Sequence, residues 1–158
     1  MRFGFVTALT DEMRSNEDIY VLLGDLGFGI FDSLRSEFPN RCINVGSSEQ
    51  LIVGMAVGLA LEGKIPICYS ISSFMIYRPF EFIRNYLEHE GIPVKLVGSG
   101  RDQDYGVAGF THHSDELRPI LSHFSNIEAF WPTNETELKS SMPQFFNSGK
   151  PAFLSLRR

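Results

Sequence analysis

Only two cysteines occur in the 158 residues, Cys42 and Cys68. A disulfide framework or a zinc site needs more ligands at closer spacing, so neither is expected. Both cysteines sit inside apolar runs and read as core residues of a protein in a reducing compartment. Basic clusters are also missing. No Lys/Arg run is longer than the terminal pair Arg157-Arg158, and the net charge is -5. A nucleic-acid binder usually shows a basic face, so nucleic acid is not an expected partner. Long apolar runs are absent too. The longest apolar helical stretch, Leu51 to Leu61, is too short to span a bilayer. The apolar N-terminus is ended by Asp11 and Glu12, with no small-residue cleavage site after it, and makes a poor secretory signal. These absences point to a cytoplasmic protein without a membrane partner. No Gly-x-Gly-x-x-Gly follows the first apolar run, which argues against a dinucleotide-binding Rossmann domain and leaves a generic flavodoxin-like binder as the reading in that class.

The hydrophobic fraction of 43% and charged fraction of 21% are those of an ordinary globular protein. The length suits one domain, residues 1–158, with a core that needs no staples. Six apolar runs recur along it: Ile19-Leu23, Cys42-Val45, Ile65-Ile71, Val94-Val97, Ile127-Trp131 and Ala152-Leu156. They do not alternate polar with apolar, so they read as strands buried on both faces. Helical patterns lie between them at Phe3-Arg14, Ile30-Glu37, Glu49-Glu62, Phe74-Glu90, Glu116-Ser122 and Glu135-Asn147, the last carrying Pro143 as a possible kink. Alternating strands and helices imply an α/β three-layer sandwich: a mostly parallel six-stranded sheet covered by helices on both faces. Ligands of such folds bind at the carboxyl ends of the strands. The long irregular stretch, Gly98 to Ser114, has the length of a functional loop.

Glu49-Glu62 reads EQLIVGMAVGLALE, with apolar residues in every direction around a helix. A surface helix keeps a polar face, so this one is expected to be buried on all sides. Gly54 and Gly58 share one face and admit another backbone closely. The covering side is either this chain's own core or another subunit. Ser48 is placed to be the N-cap, with Glu49 as a first-turn acid favoured by the helix dipole. Pattern alone leaves Glu49 between that structural role and a chemical one.

The segments GSSEQLIVGMAVGLALEGKIPI and SSFMIYRPFEFIRN, taken together, resemble the pyrimidine-binding domain of the transketolase family. That family includes deoxyxylulose phosphate synthase and the β chains of oxo-acid dehydrogenases. Its pattern is a strand, a short turn, then Glu-(His/Gln) opening an apolar helix with glycines at set distances, matched here by Glu49-Gln50, Gly58 and Gly63. An aromatic-rich helix start follows, matched by Phe74 and Tyr77. The family's Asp-Gly-Pro-Thr-His-Gln corresponds to Ala108-Gly109-Phe110-Thr111-His112-His113, and its Ala-Asp-Leu after the first strand to Gly24-Asp25-Leu26. The resemblance covers nearly the whole chain in order.

The resemblance implies thiamine diphosphate as cofactor. Glu49 would set its carboxyl against the pyrimidine ring nitrogen distant from the thiazolium and share a proton there. That role requires a carboxyl able to donate, which apolar surroundings favour and the helix N-terminus opposes. Phe74 would stack on the aminopyrimidine, with Tyr77, Asp25 and Leu26 lining the same pocket; a core role is the plain alternative for Phe74. His112 would reach substrate oxygens as a proton carrier or polarising group, with His113 and Arg101 as lesser substrate contacts. The plain alternatives are loop histidines and, for Asp25, a turn residue.

The family holds the diphosphate and magnesium through a Gly-Asp-Gly start and a later Asn on a different domain, and no such motif occurs here. The resemblance therefore implies a single pyrimidine-binding domain, with diphosphate-binding and C-terminal domains absent. It implies a split enzyme completed by a diphosphate-binding, magnesium-holding partner subunit, as a heterotetramer or with self-association through the Glu49-Glu62 helix. The implied activity is transfer of a two-carbon ketol unit between small sugar-type substrates. Ala108 replaces the usual acid and Gly100 a phosphate-binding His, which points away from ordinary pentose phosphates. A thiamine-dependent 2-oxo acid decarboxylase or dehydrogenase component, and a non-catalytic scaffold domain, are the other readings.

Overall fold

The six apolar runs form six strands, and the layers around them explain why polar and apolar positions do not alternate. A computed structural model describes every residue from Met1 to Arg158. The strands are β1 Ile19–Leu23, β2 Cys42–Asn44, β3 Ile65–Ile71, β4 Lys95–Ser99, β5 Glu128–Phe130 and β6 Ala152–Leu156. They make one sheet in the order β2-β1-β3-β4-β6-β5. Every pair is parallel, for example Val21 against Cys42 and against Ile67. The expectation of a mostly parallel sheet becomes a wholly parallel one.

Successive strand residues point to opposite faces. Ile19, Val21, Leu23, Ile67, Tyr69, Val97, Leu154 and Leu156 face one layer, made by α1 (Arg2–Ser15), α2 (Asp32–Glu37) and α7 (Glu135–Asn147). Leu22, Cys68, Leu96 and Phe153 face the other, made by α3 (Glu49–Leu61), α4 (Ser72–Tyr77) and α6 (Leu117–Ser122). Both cysteines are free and buried, and burial pushes the Cys42 thiol up to about 12. No helix is long and apolar enough to cross a membrane.

Local chemistry sets the element ends. Gly63 has φ +77°, and its N–H and that of Lys64 donate to the carbonyls of Ala60 and Leu59. This glycine-terminated turn closes α3 and feeds β3. The single helix expected over Phe74-Glu90 is instead broken at Pro79. α4 stops at Tyr77, and after Pro79 come α5 (Phe80–Phe82) and a π-helical turn (Ile83–His89). Proline lacks the N–H and crowds the preceding turn, which accounts for the break. Pro143, by contrast, lies inside an unbroken α7. At Gly98 a Cβ would meet the backbone of Ser72 at 3.0 Å, so the glycine lets α4 lie directly on β4.

The α3 helix departs from expectation. Ile52, Val53, Ala56 and Val57 pack on the sheet, but Leu51 and Leu61 are 52% and 70% exposed and Gly58 faces open space. Within this chain it is buried on one side only. Ser48 is the N-cap residue but its side chain makes no cap hydrogen bond.

The apolar run Val94-Val97 carries one buried cation. The Lys95 Nζ donates to the Ser148 carbonyl at 2.7 Å, the Ser148 hydroxyl at 3.1 Å and the Lys150 carbonyl at 2.6 Å, tying β4 to the α7–β6 turn. Lys95→Met strands these acceptors and should destabilise the fold by about 1–3 kcal/mol in urea unfolding. Burial also pushes Lys95 down from 10.5 to about 8. Between those values the unfolded chain binds a proton that the folded chain has released, so stability rises with pH. The Lys95→Met variant should lack that rise, so the gap between the two proteins should widen through this window.

Candidate active site

The sheet order places β1 between β2 and β3, so the chain leaves β1 in one direction and later passes back over it. Clefts open at the carboxyl ends of strands at such a reversal. Three chain segments meet there: Gly24-Asp25-Leu26 after β1, Gly46-Ser47-Ser48 leading into α3, and the start of α4 after β3. Asn44 fastens the first two together. Its side-chain oxygen accepts from the N–H groups of Asp25 (2.9 Å) and Gly46 (3.1 Å), and its amide donates to the Asp25 carboxylate at 3.1 Å. Asp25 takes φ 55° in this turn, a conformation that Asp tolerates better than most residues.

Glu49 opens α3 with its side chain 1% exposed. Its Oε1 accepts a hydrogen bond from the Ser70 hydroxyl at 2.6 Å, and its Oε2 one from the Arg78 guanidinium at 2.6 Å. The backbone of Gly24 runs close by: a Cβ there would lie 3.2 Å from the Ser70 hydroxyl and 3.4 Å from Glu49 Oε1. Asp25, Leu26, Glu49, Ile71, Phe74 and Arg78 all line a cavity of about 160 Å³, with Gly24 and Ser47.

Phe74 stands on α4 with the Arg78 guanidinium 3.8 Å from its ring centroid. The His112 ring meets it edge-on at 4.8 Å. His112 lies in the long loop after β4, in a 3-10 turn Phe110–His112, and α4 holds that loop in place. Ser73 donates to the Thr111 carbonyl at 2.8 Å, and Ser72 to that of Gly100. Thr111 Oγ1 is 3.0 Å from His112 Nδ1.

The fold thus brings together five of the residues singled out from sequence: Glu49, Phe74, His112, Asp25 and Leu26. Three others stand apart. Tyr77 does not line the cavity; burial and the neighbouring Glu116 carboxylate push its phenol up. Arg101 is 5% exposed, and its guanidinium donates to the Ser155 hydroxyl (3.0 Å) and to the carbonyls of Ser155 (2.6 Å) and Pro132 (2.8 Å). It braces the loop against β6 and the segment after β5. His113 has a buried Nε2 without a hydrogen-bond partner and packs against Phe110. Sequence reasoning missed Ser70, Asn44 and Arg78. Arg78 alone left a trace: it lies four residues after Phe74, on the same helix face.

A buried carboxyl held by a serine on one oxygen and an arginine on the other, with an aromatic face beside it and a histidine next to that ring, is a set of groups suited to a flat nitrogen heterocycle and to proton transfer. Residues 1–158 match the family described as the transketolase pyrimidine binding domain. The chain belongs to that family. It is 34% identical over 120 residues to an apulose-4-phosphate transketolase subunit of Actinobacillus succinogenes, covering 76% of this chain and 39% of the relative. It is 28% identical over 159 residues to a 6-deoxy-6-sulfo-D-fructose transketolase subunit of Clostridium sp., covering 100% of this chain and 49% of the relative. A solved split-gene transketolase, described as an inactive beta4 tetramer, superposes with TM-score 0.84 at 26% identity over 99% of this chain and half of that one. The pyrimidine-domain chain therefore spans half the length, or less, of these relatives.

Ser70 serves Glu49, so its removal leaves a buried carboxylate oxygen unpaired. Ser70→Ala should cost about 1.5–3 kcal/mol in chemical denaturation. In a Glu49→Leu background the same change should cost under about 0.5 kcal/mol, because the group that needed the hydroxyl is gone. Equal costs in the two backgrounds would show that the hydroxyl does not act through Glu49.

Proposed function

We propose that this chain is the pyrimidine-binding part of a thiamine-diphosphate-dependent transketolase-type enzyme that transfers a two-carbon ketol unit between sugar-type substrates. The observation that carries the reading is Glu49: a buried carboxylate, anchored on one oxygen by Ser70 and paired on the other with Arg78, at a cavity walled by Phe74. The lining, with the Arg78 guanidinium off the Phe74 ring, suits an aminopyrimidine. It offers a flat aromatic face, a carboxyl oxygen in reach and a backbone, at Gly24, with no side chain in the way. Bound thiamine diphosphate would supply the nucleophilic carbon that accepts and releases the ketol unit.

The chain's own residues then have distinct tasks. Glu49 Oε2 shares a proton with a ring nitrogen, Phe74 covers the ring and keeps water from it, and the Gly24-Asp25-Leu26 turn borders it. His112 has Nδ1 beside Thr111 and keeps Nε2 to hold or move a proton at a substrate oxygen. Tyr77, His113 and Arg101 act, in this reading, from behind that shell, as packing for α4 and the loop.

The diphosphate and its magnesium are assigned to a partner subunit or domain outside these residues. No group of three His, Cys, Asp or Glu side chains converges here. Phe28 (68% exposed), Phe110 (81%) and Leu51 lie exposed on segments that follow β1, β4 and β2. They support a second chain over the site, and the open Leu51, Gly58 and Leu61 side of α3 supports association of like chains in a heterotetramer. Relatives named as transketolase subunits support that partner requirement. Gly100 has φ +79° with the Tyr105 ring against it, so no side chain fits where the family carries a phosphate-binding His. With Ala108, this favours a substrate other than an ordinary pentose phosphate, as do relatives named for apulose 4-phosphate and a sulfo-sugar.

Glu49→Gln keeps the shape and removes the exchangeable proton. Ketol transfer by the assembled enzyme should fall by about 10²–10⁴-fold while the fold persists. Activity within a few-fold of the unsubstituted protein would favour the scaffold reading. Turnover of a 2-oxo acid in place of a ketose donor would favour the decarboxylase reading.

A further inference from the structure

One charged side chain of the cavity has no task in this mechanism. Arg78 lays its guanidinium 3.8 Å from the Phe74 centroid and donates to Glu49 Oε2 at 2.6 Å. These are the two surfaces an aminopyrimidine needs, because Glu49 Oε1 is already held by Ser70. A guanidinium and the amidine edge of an aminopyrimidine are chemically alike. Both are flat and delocalised, stack on aromatic rings and present N–H groups in the plane. The side chain and the ring cannot lie on the same face of Phe74 together.

We propose that Arg78 is a built-in occupant of the pyrimidine site, a stand-in that must swing out before the aminopyrimidine of thiamine diphosphate can enter. The inference rests on the pyrimidine reading of this cavity. Local structure suits the movement. Arg78 caps the C-terminus of α4, and Pro79 breaks the helix directly after it. Its side chain is 44% exposed, and Glu49 is the one hydrogen-bond partner of its guanidinium. Glu49 is buried and held by Ser70, so it stays while Arg78 leaves. The closed arrangement gives the buried carboxylate a partner whenever the cofactor is away, since an unpaired buried charge is strongly unfavourable. It also lowers the apparent affinity for the cofactor by the fraction of molecules that are open.

The test is calorimetric titration of thiamine diphosphate with magnesium into the assembled protein, for the unsubstituted form, Arg78→Met and Arg78→Lys. Methionine keeps the apolar stem and loses the cation. If the open form is roughly a tenth of the population, Arg78→Met should bind about tenfold tighter. Without cofactor it should also melt lower, because Glu49 has lost its partner. Arg78→Lys keeps the charge without the planar stack and should fall between the two. Equal or weaker binding by Arg78→Met, with the unsubstituted protein binding normally, overturns the proposal and leaves the pyrimidine reading standing. Absence of binding in every form, with the fold intact by circular dichroism, overturns that reading and the proposal with it.

Discussion

Glu49 is a carboxylate with its side chain 1% exposed, at the head of a helix whose next residues are Gln50, Leu51, Ile52 and Val53. A charge removed from water in this way costs several kcal/mol unless other groups take the place of the solvent. The surrounding structure is arranged to do so. Ser70, near the end of β3, holds one oxygen, and Arg78, at the end of α4, holds the other. Each partner comes from a different element, so the carboxylate fixes where β3, α3 and α4 meet. The parallel sheet makes that meeting possible. It sends the segments after β1, β2 and β3 to one edge, and its reversal at β1 leaves a cleft between them.

The fold was largely legible because burial on both faces leaves a plain mark. A strand such as Ile65-Ile71 can lack polar-apolar alternation only when helices cover both sides, and β3 has its interior residues buried throughout. Two features were hidden for physical reasons. The role of Lys95 inside the apolar run Val94-Val97 was hidden, because its three acceptors come from the α7–β6 turn more than fifty positions away. The helix expected through Phe74-Glu90 ignored Pro79, whose missing N–H ends α4 beside Arg78. The apolar pattern of α3 did not distinguish the side packed on the sheet from the side left open. Leu51 and Leu61 are open, with nothing of this chain packed over them.

The site was legible where chemistry demands a residue type and obscure where geometry assigns the role. Glu49, Phe74 and His112 were singled out by their order along the chain, and the loop clamps at Ser72 and Ser73 bring the histidine to the aromatic ring. Arg101 was proposed as a substrate cation because it lies beside Gly100. Its donors turn inward to carbonyls, which no sequence pattern announces. Ser70 and Asn44 are single polar residues near strand ends. Each acts through a hydrogen bond to a segment at least nineteen positions away, so nothing local distinguishes them from ordinary strand termini.

The central claim is that the cavity between Gly24, Glu49 and Phe74 receives the aminopyrimidine ring. A crystal structure of the assembled protein soaked with thiamine diphosphate and magnesium tests it most directly. The account predicts a ring nitrogen within hydrogen-bond distance of Glu49 Oε2, with the ring beside Phe74. Cofactor density in any other cleft, with the carboxylate of Glu49 free of it, would contradict the account.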